Sequence, residues 1–241
     1  MRAHAVVWAA GEMQYPDHGS FPGAEHCTPT VTVQDWSEIP GQHAVVIGGY
    51  ESGIDAAIHL VDHGRDVVVL DREAPWTSDD PDPSRSLSPY THGRLRRAHA
   101  TGRLELVGDA AVRRVVTHNG GASVHTDSDE VFGCDGVPLL ATGFAGSLVL
   151  ARDRFAFDEA GRVIVTEAGD ESTVLPGLFL AGPMLAHRGA IFCFIYKFRQ
   201  RAGVVARAIG DRLGRDTTPL KELREVGFMP EDLSCCDDCA C

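Results

Sequence analysis

Three short apolar runs rich in β-branched residues set the frame of the chain: His4–Gly11 (HAVVWAAG), His43–Gly49 (HAVVIGG) and Asp66–Asp71 (DVVVLD). Each is continuous rather than alternating and ends on small or acidic residues, the pattern of a strand buried on both faces. Between the second and third, ESGIDAAIHLVDHG places Ile54, Ala57, Ile58, Leu60 and Val61 at helical spacing, with Gly64 at the natural stop. Strand, glycine turn, helix and strand within about 30 residues predict a βαβ unit.

The rest of the pattern extends an α/β reading. Glu12–Thr30 is a loop rich in Pro, Gly and His. Asp71–Gly93 is polar and carries four prolines, a long loop of the kind that tends to be functional inside a compact domain. Arg94–Gly102 is predicted helical. The following stretch alternates short strands with turns, including a hairpin signal at Asn119–Gly121, and closes on the apolar run Val137–Gly143 (VPLLATG). Gly161–Glu167 and Pro176–Gly182 (PGLFLAG) are further predicted strands. Ala190–Leu213 is predicted as one long amphipathic helix, and weak order is expected from about Asp216.

Composition narrows the classes. A chain of 241 residues, 44% apolar and 23% charged, suits one large or two small globular domains. A net charge of −12 argues against a nucleic-acid surface, which wants clustered Lys and Arg. No apolar run approaches the roughly 20 residues of a membrane span, and the opening MRAHAVVWAAGEM is too short in its apolar stretch for a secretory signal. Seven cysteines, an odd number clustered at one end, do not resemble a secreted disulfide framework, so a cytoplasmic protein with free or redox-active thiols is expected.

The candidate chemistry begins at VVIGGYESG. Gly48, Gly49 and Gly53 lie between a strand and a helix, where the backbone must turn tightly and approach a pyrophosphate, with Tyr50, Glu51 and Ser52 at the helix start. In strict G-x-G-x-x-G spacing the middle glycine is replaced by Tyr50. Asp71 ends the next strand, where an acid hydrogen-bonds a ribose hydroxyl, and Arg72 follows, suited to a 2′-phosphate. NADH and NADPH both remain open on these residues. A tight structural turn in any α/β protein uses the same glycines.

The order AAG, GGYESG, LLATG, PGLFLAG over about residues 3–213 resembles the two-dinucleotide-binding-domain flavoproteins. These are the pyridine nucleotide-disulfide oxidoreductases of the thioredoxin-reductase-like, bacillithiol-disulfide-reductase-like and flavin-monooxygenase-like kinds. The resemblance implies a Rossmann-like NAD(P)H-binding domain at 30–145, a remnant of an FAD domain with its crossover at 1–29, the C-terminal portion of that FAD domain at 146–215, and a cysteine-rich tail at 216–241. Gly11, Thr142 and Gly143 would then mark the two crossovers, Gly182 the late FAD strand, and Arg188 with Gly189 the approach to the flavin. The usual Gly-Asp pair of that late strand is Gly182–Pro183 here. The G-x-G-x-x-G unit that would hold the FAD pyrophosphate does not precede the first crossover. A fragment, a separate subunit supplying that half, or loss of FAD would each explain this. Phe192, Phe194 and Ile195 should then expose apolar surface and invite a partner, a second copy of the chain or a separate FAD-domain subunit.

The family's internal C-x-x-C does not occur. Cys27, Cys134 and Cys193 are single and are expected as small buried hydrophobes. Cys235, Cys236, Cys239 and Cys241 are concentrated in LSCCDDCAC, a candidate redox relay at Cys235 and Cys236 and a candidate soft-metal set of four thiolates. Asp237 and Asp238 raise neighbouring thiol pKa values while attracting cations. The tail resembles the terminal cysteine pairs of mercuric reductases. His18, His26, His92, His99 and His187 lie in or near predicted loops without ligand spacing and are expected at the surface, as are Arg94, Arg96 and Arg97. The resemblance implies hydride transfer from NADPH or NADH through FAD to a disulfide, thiol or soft-metal substrate. A flavin monooxygenase and a non-catalytic nucleotide- or metal-binding remnant are the alternatives.

Overall fold

A computed structural model describes residues 3–19, 21–80, 82, 84–188, 190–229 and 233. The chain forms two compact units: an inserted unit, 16–143, and a flanking unit built from 1–15 and 144–241. The inserted unit thus begins at Pro16, not near residue 30, because the segment after it is stitched into the unit's sheet.

In chain order, the flanking unit contributes β1 (Val6–Trp8) first. The inserted unit follows with β2 (Thr28–Pro29), β3 (His43–Ile47), α1 (Glu51–Asp62), β4 (Asp66–Leu70), α2 (Pro89–His99) and β5 (Leu104–Val107). An antiparallel meander comes next, β6 (Val112–His118), β7 (Gly121–Thr126) and β8 (Val131–Cys134), and β9 (Leu139–Leu140) closes the unit. β2, β9, β3, β4 and β5 make one parallel sheet in that spatial order. The chain leaves β3 toward β4 and β5 on one side and returns through β9 on the other, so the strand order reverses beside β3.

The period-2 alternation of the strands divides the core into two. Val46, Val67, Val69, Leu104 and Leu139 pack on one face with Ile54, Ile58 and Val61 of α1 and Leu95 and Ala98 of α2. Val45, Ile47, Leu70 and Leu140 pack on the other with Val115, Ala122, Val124 and Cys134 of the meander. Being buried on both faces explains why β3 and β4 read as unbroken apolar runs. α1 ends as its sequence dictates. Gly64 is left-handed (φ +78°), its N–H reaches the Val61 carbonyl, and Arg65 N–H reaches that of Leu60. β6 and β7 join through the two-residue turn Asn119–Gly120, with His118 facing Gly121.

α2 starts earlier than the predicted Arg94. Ser88 caps it by accepting from Thr91 N–H (3.2 Å) and Pro89 fills the first helical position, which shortens the long loop.

The flanking unit continues with β10 (Ala156–Phe157), β11 (Val163–Ile164), β12 (Leu178–Leu180), β13 (Ala186–His187), β14 (Ala190–Ile191), α3 (Ile195–Phe198), α4 (Ala202–Arg212) and α5 (Lys221–Glu225). β1 pairs in parallel with β12 (Val6 opposite Leu178), and Trp8, Leu148, Phe155, Leu178, Leu180, Leu185, Phe192 and Leu233 share one core. Val6 and Val7 on β1 remain 48% and 43% exposed.

Three expectations fail here. The long helix does not begin at Ala190, because Ala190–Ile191 pairs with Ala186–His187 and Phe192 N–H reaches the Leu185 carbonyl; the aromatic run AIFCF extends a hairpin instead. Helical structure starts at Ile195, and a 3-10 turn, Arg199–Arg201, joins α3 to α4. Phe192, expected exposed, is 4% exposed; Phe194 is half-buried and stacks on Tyr196, and Ile195 is exposed as expected. Between Asp216 and Met229, where weak order was expected, Thr218–Leu220 forms a 3-10 turn that leads into α5; past Met229, all but Leu233 lies outside the described residues. Cys27 and Cys134 are buried as expected, while Cys193 is only half-buried.

Candidate functional site

The glycine turn sits at the carboxyl end of β3, where the strand order reverses, the position at which open α/β sheets take ligands. Gly48 is left-handed (φ +101°), and its N–H donates to the Leu70 carbonyl of β4 (2.9 Å). A Cβ at Gly48 would overlap the Ala141 carbonyl oxygen just past β9, and one at Gly53 would overlap the Gly48 carbonyl oxygen. These positions therefore require glycine for close approach of backbone to backbone. α1 then begins at Glu51 with no side chain capping it. By helix geometry the N–H groups of Glu51, Ser52 and Gly53 have no partner within the helix, which makes this terminus a ready acceptor of negative charge.

The other predicted residues take defined places. Tyr50, in the slot of the middle glycine, is half-buried against the helix-side core. Ser52 is exposed. Glu51 turns away from the turn: its carboxylate accepts from Ser88 N–H and from Thr91 Oγ1, joining the start of α1 to the start of α2. Asp71 lies at the end of β4. Its Oδ2 accepts from Gly49 N–H (2.7 Å), and its Oδ1 accepts from Glu73 N–H (2.7 Å) and Ala74 N–H (3.1 Å). It thus braces both the glycine turn and the loop beyond it. Arg72 is exposed beside Glu73 (3.4 Å).

Thr142 and Gly143 close the inserted unit. Thr142 Oγ1 donates to the Asp17 carbonyl (2.7 Å), and Asp17 N–H donates to the Gly143 carbonyl (2.9 Å), so the two ends of the unit run side by side.

In the flanking unit, the Gly11 carbonyl (φ +80°) accepts from Ser147 Oγ (2.6 Å), which in turn accepts from Trp8 Nε1 (3.0 Å). Gly182 is left-handed (φ +117°), with open space where a Cβ would stand. The Arg188 guanidinium, expected to face a phosphate or flavin, makes two bonds to Glu167 (2.9 and 2.8 Å), and it holds the Glu167 carboxyl below the usual range. Gly189, Cys235, Cys236, Cys239 and Cys241 lie outside the described residues. Leu233, just before the cysteine-rich segment, is buried in the flanking unit's core.

Sequence reasoning missed one buried ionic cluster. Asp170 is fully buried and left-handed (φ +55°). It accepts from Arg201 Nε (3.0 Å) and a terminal guanidinium nitrogen (2.6 Å), and its Oδ1 lies 2.6 Å from His187 Nε2. Arg201 also donates to the Glu167 carbonyl (2.6 Å). His187 is therefore no surface residue: the carboxylate buries it, with Phe192 edge-on at 6.0 Å. Among the described residues, no group of three or more His, Cys, Asp and Glu is placed to hold a metal ion, and no helix is long and apolar enough to cross a membrane.

The parallel sheet, the glycine turn at its reversal point and the acid on the adjacent strand define a dinucleotide-binding α/β protein. Residues 1–182 match the pyridine nucleotide-disulphide oxidoreductase family, and the chain belongs to it. This is a family of oxidoreductases, and membership implies NAD(P)H and FAD in general terms. A ferredoxin–NADP reductase of Thermus thermophilus is 22% identical over 197 residues, 81% of this chain and 54% of the relative. Among solved structures, a bacillithiol disulfide reductase from Bacillus cereus superposes with a TM-score of 0.68 at 25% identity, covering 86% of this chain and 62% of that one. A thioredoxin reductase from T. acidophilum superposes at 0.57 and 18% identity, covering 92% and 66%, a likeness of fold. The chain spans about half to three-fifths of the length of the first relatives it matches.

The two cofactors fare differently against the residues present. The glycine cradle at Gly48, Gly49 and Gly53 fits a dinucleotide pyrophosphate. In the flanking unit, the described residues contain no strand–glycine turn–helix unit comparable to β3–α1, so these residues form no pyrophosphate cradle for FAD.

Proposed function

We propose that this chain carries the pyridine-nucleotide half of a flavin-dependent oxidoreductase, with NADH or NADPH binding across the carboxyl ends of β3 and β4. The observation that carries the reading is the turn at Gly48–Gly53: glycines demanded by close backbone approach, followed by an uncapped helix start and braced by Asp71. Bound nucleotide would supply a hydride to FAD. The chain's own residues would do the holding. The α1 terminus would receive the pyrophosphate charge. The Asp71 carboxylate would accept a ribose hydroxyl beside its backbone bonds, and Arg72 would meet a 2′-phosphate if one is present. Trp8, Ser147 and Gly11 would fix the backbone of the flanking unit at its crossover.

In this reading the final acceptor is a disulfide, a thiol compound or a soft metal ion. Cys235 and Cys236 are the relay, the four tail cysteines are the metal set, the chain works in the cytoplasm, and its partner is a second copy or an FAD-domain subunit. The test is nucleotide binding and flavin content of the purified chain. NADH or NADPH should bind with a measurable heat. Protein supplied with FAD should retain a band near 450 nm when the complementing half is present and oxidise NAD(P)H with a disulfide or Hg(II). Loss of that oxidation in a Cys235→Ser/Cys236→Ser variant supports the relay. Failure of both nucleotides to bind would overturn the reading.

A further inference from the structure

The loop after β4 presents an indole to the glycine turn. Trp76 sits in a 3-10 turn, Pro75–Thr77, shortly after Asp71. A Cβ built at Gly49 would overlap the six-membered ring of Trp76 and lie 3.0 Å from the Asp71 Cβ. At Gly108, just past β5, a Cβ would stand 2.8 Å from the Ala74 Cβ and 3.9 Å from the indole. The ring thus lies across the carboxyl ends of β3, β4 and β5, the edge along which a dinucleotide's adenosine half runs.

Its placement is enforced. Asp71 Oδ1 holds Glu73 N–H and Ala74 N–H. Ala74 adopts φ +49°, a left-handed conformation unfavourable for alanine, and Thr77 N–H and Oγ1 both return to the Ala74 carbonyl (3.0 and 2.8 Å). Local backbone strain kept by surrounding bonds is characteristic of ligand clamps. The indole packs partly on the helix-side core beside Tyr50 and Leu106 and is only half-buried. A half-buried aromatic between a ribose-reading acid and a pyrophosphate turn offers a π-face to a purine.

We infer that Trp76 is the stacking platform for the adenine ring of the pyridine nucleotide, positioned by Asp71. The inference rests on the proposed nucleotide site and adds the residue that recognises the adenosine end. It also gives Asp71 a second task, since the carboxylate that meets the ribose sets the indole's height over Gly49.

The experiment uses the full chain and titrates ADP-ribose, NADH, NADPH and reduced nicotinamide mononucleotide, which lacks adenine, against the unaltered protein, Trp76→Phe and Trp76→Leu. Stacking of about 1–3 kcal/mol corresponds to a roughly 5- to 150-fold loss of ADP-ribose affinity in Trp76→Leu. Trp76→Phe should stay within a few-fold of the unaltered protein, and reduced nicotinamide mononucleotide should bind all three alike. ADP-ribose should also quench tryptophan emission in the unaltered chain and lose that effect in Trp76→Phe, a readout that holds if the leucine variant folds poorly. ADP-ribose affinity within twofold of the unaltered protein in a folded Trp76→Leu, an equal loss for the mononucleotide, or quenching that persists in Trp76→Phe would overturn the platform while leaving the nucleotide site standing. No binding of any nucleotide to the unaltered chain would overturn both.

Discussion

Asp170→Asn removes the carboxylate charge from the buried cluster with Arg201 and His187. Asparagine tolerates the left-handed backbone at this position about as well as aspartate does, so φ +55° adds no new strain. The shape is kept and the charge is lost. Arg201, 1% exposed, then keeps its positive charge in the core, still bonded to the Glu167 carbonyl among other groups, but without the Asp170 carboxylate. Part of the substituted amide also presents N–H groups to donors. Removing one partner of a buried ion pair costs about 3–5 kcal/mol, because the remaining charge is stranded. At about 4 °C per kcal/mol for a domain near 100 residues, the flanking unit's transition should fall by roughly 12–20 °C.

Two units need separate reporters, since a single two-state fit is unsafe for them. Trp8 packs in the flanking unit's core while Trp36 and Trp76 lie in the inserted unit. A Trp36→Phe/Trp76→Phe background therefore leaves Trp8 to follow the flanking unit alone. Arg201→Met should cost less than Asp170→Asn, because Asp170 keeps its 2.6 Å contact with His187 Nε2. The double variant should cost clearly less than the sum of the two. A loss under about 1 kcal/mol in Asp170→Asn, or additivity within about 0.3–0.5 kcal/mol, would refute the claim that the charge pair holds this core.

Other outcomes follow from the same geometry. Burial pushes the Cys27 thiol up to about 11, with Cys134 and Glu25 adding to it, and burial likewise raises Cys134. At pH 8 the Cys27 thiolate fraction is then on the order of 0.1%, so alkylation followed by peptide mass mapping should leave both cysteines unmodified in the folded chain and modify them after unfolding in urea. Gly48→Ala sets an L-residue at φ +101° against the Ala141 carbonyl; positive-φ strain of about 1–2 kcal/mol and crowding of about 1–3 kcal/mol should lower urea stability by roughly 2–5 kcal/mol and weaken NAD(P)H binding. Burial raises the Glu12 carboxyl above its ordinary 4.5. The folded state then binds more protons than the unfolded one, so this group's contribution is favourable below about pH 4.5 and is lost as pH rises through the folded value. Glu12→Gln should gain stability over the unaltered protein at neutral pH and lose that advantage in acid, as read from denaturation midpoints across pH.

The sequence made the inserted unit legible where burial is symmetric. After their first residues, His43 and Asp66, β3 and β4 are unbroken apolar runs because both faces are covered, and α1 shows its buried stripe and its Gly64 stop in plain periodicity. The tight glycine turn and the place of Asp71 at the end of β4 were legible because a strand-to-helix turn of this closeness needs glycine and because the apolar run stops at the acid. The start of α2 was also available: Ser88 followed by Pro89 is a cap and first-turn signal, obscured by the prolines around it.

What escaped depends on distant partners. His187 looked like a loop residue because nothing near it in sequence announces Asp170 or Arg201, and the three meet only after folding. The predicted helix at Ala190 failed because apolar, aromatic runs are ambiguous between strand and helix until a neighbouring strand, here β13, is in place. Trp76 was read only as part of the loop, since its packing against Gly49 forms only once the turn and the loop are folded together.

The paired ends of the inserted unit bear on the order of events during synthesis. Asp17 meets Thr142 and Gly143, so every residue of that unit is available once position 143 has been made, and its ends can be sealed at that moment. Among the described residues, β1 pairs with β12 alone. Val6 waits for Leu178, about 170 residues later, a delay of roughly 10–30 s at about 5–20 residues per second. Throughout that interval a valine-rich strand waits for its β12 partner while the inserted unit is completed behind it. The long separation of β1 from β12 therefore makes Val6–Trp8 an extended apolar segment that a chaperone could hold until residue 180 has been made.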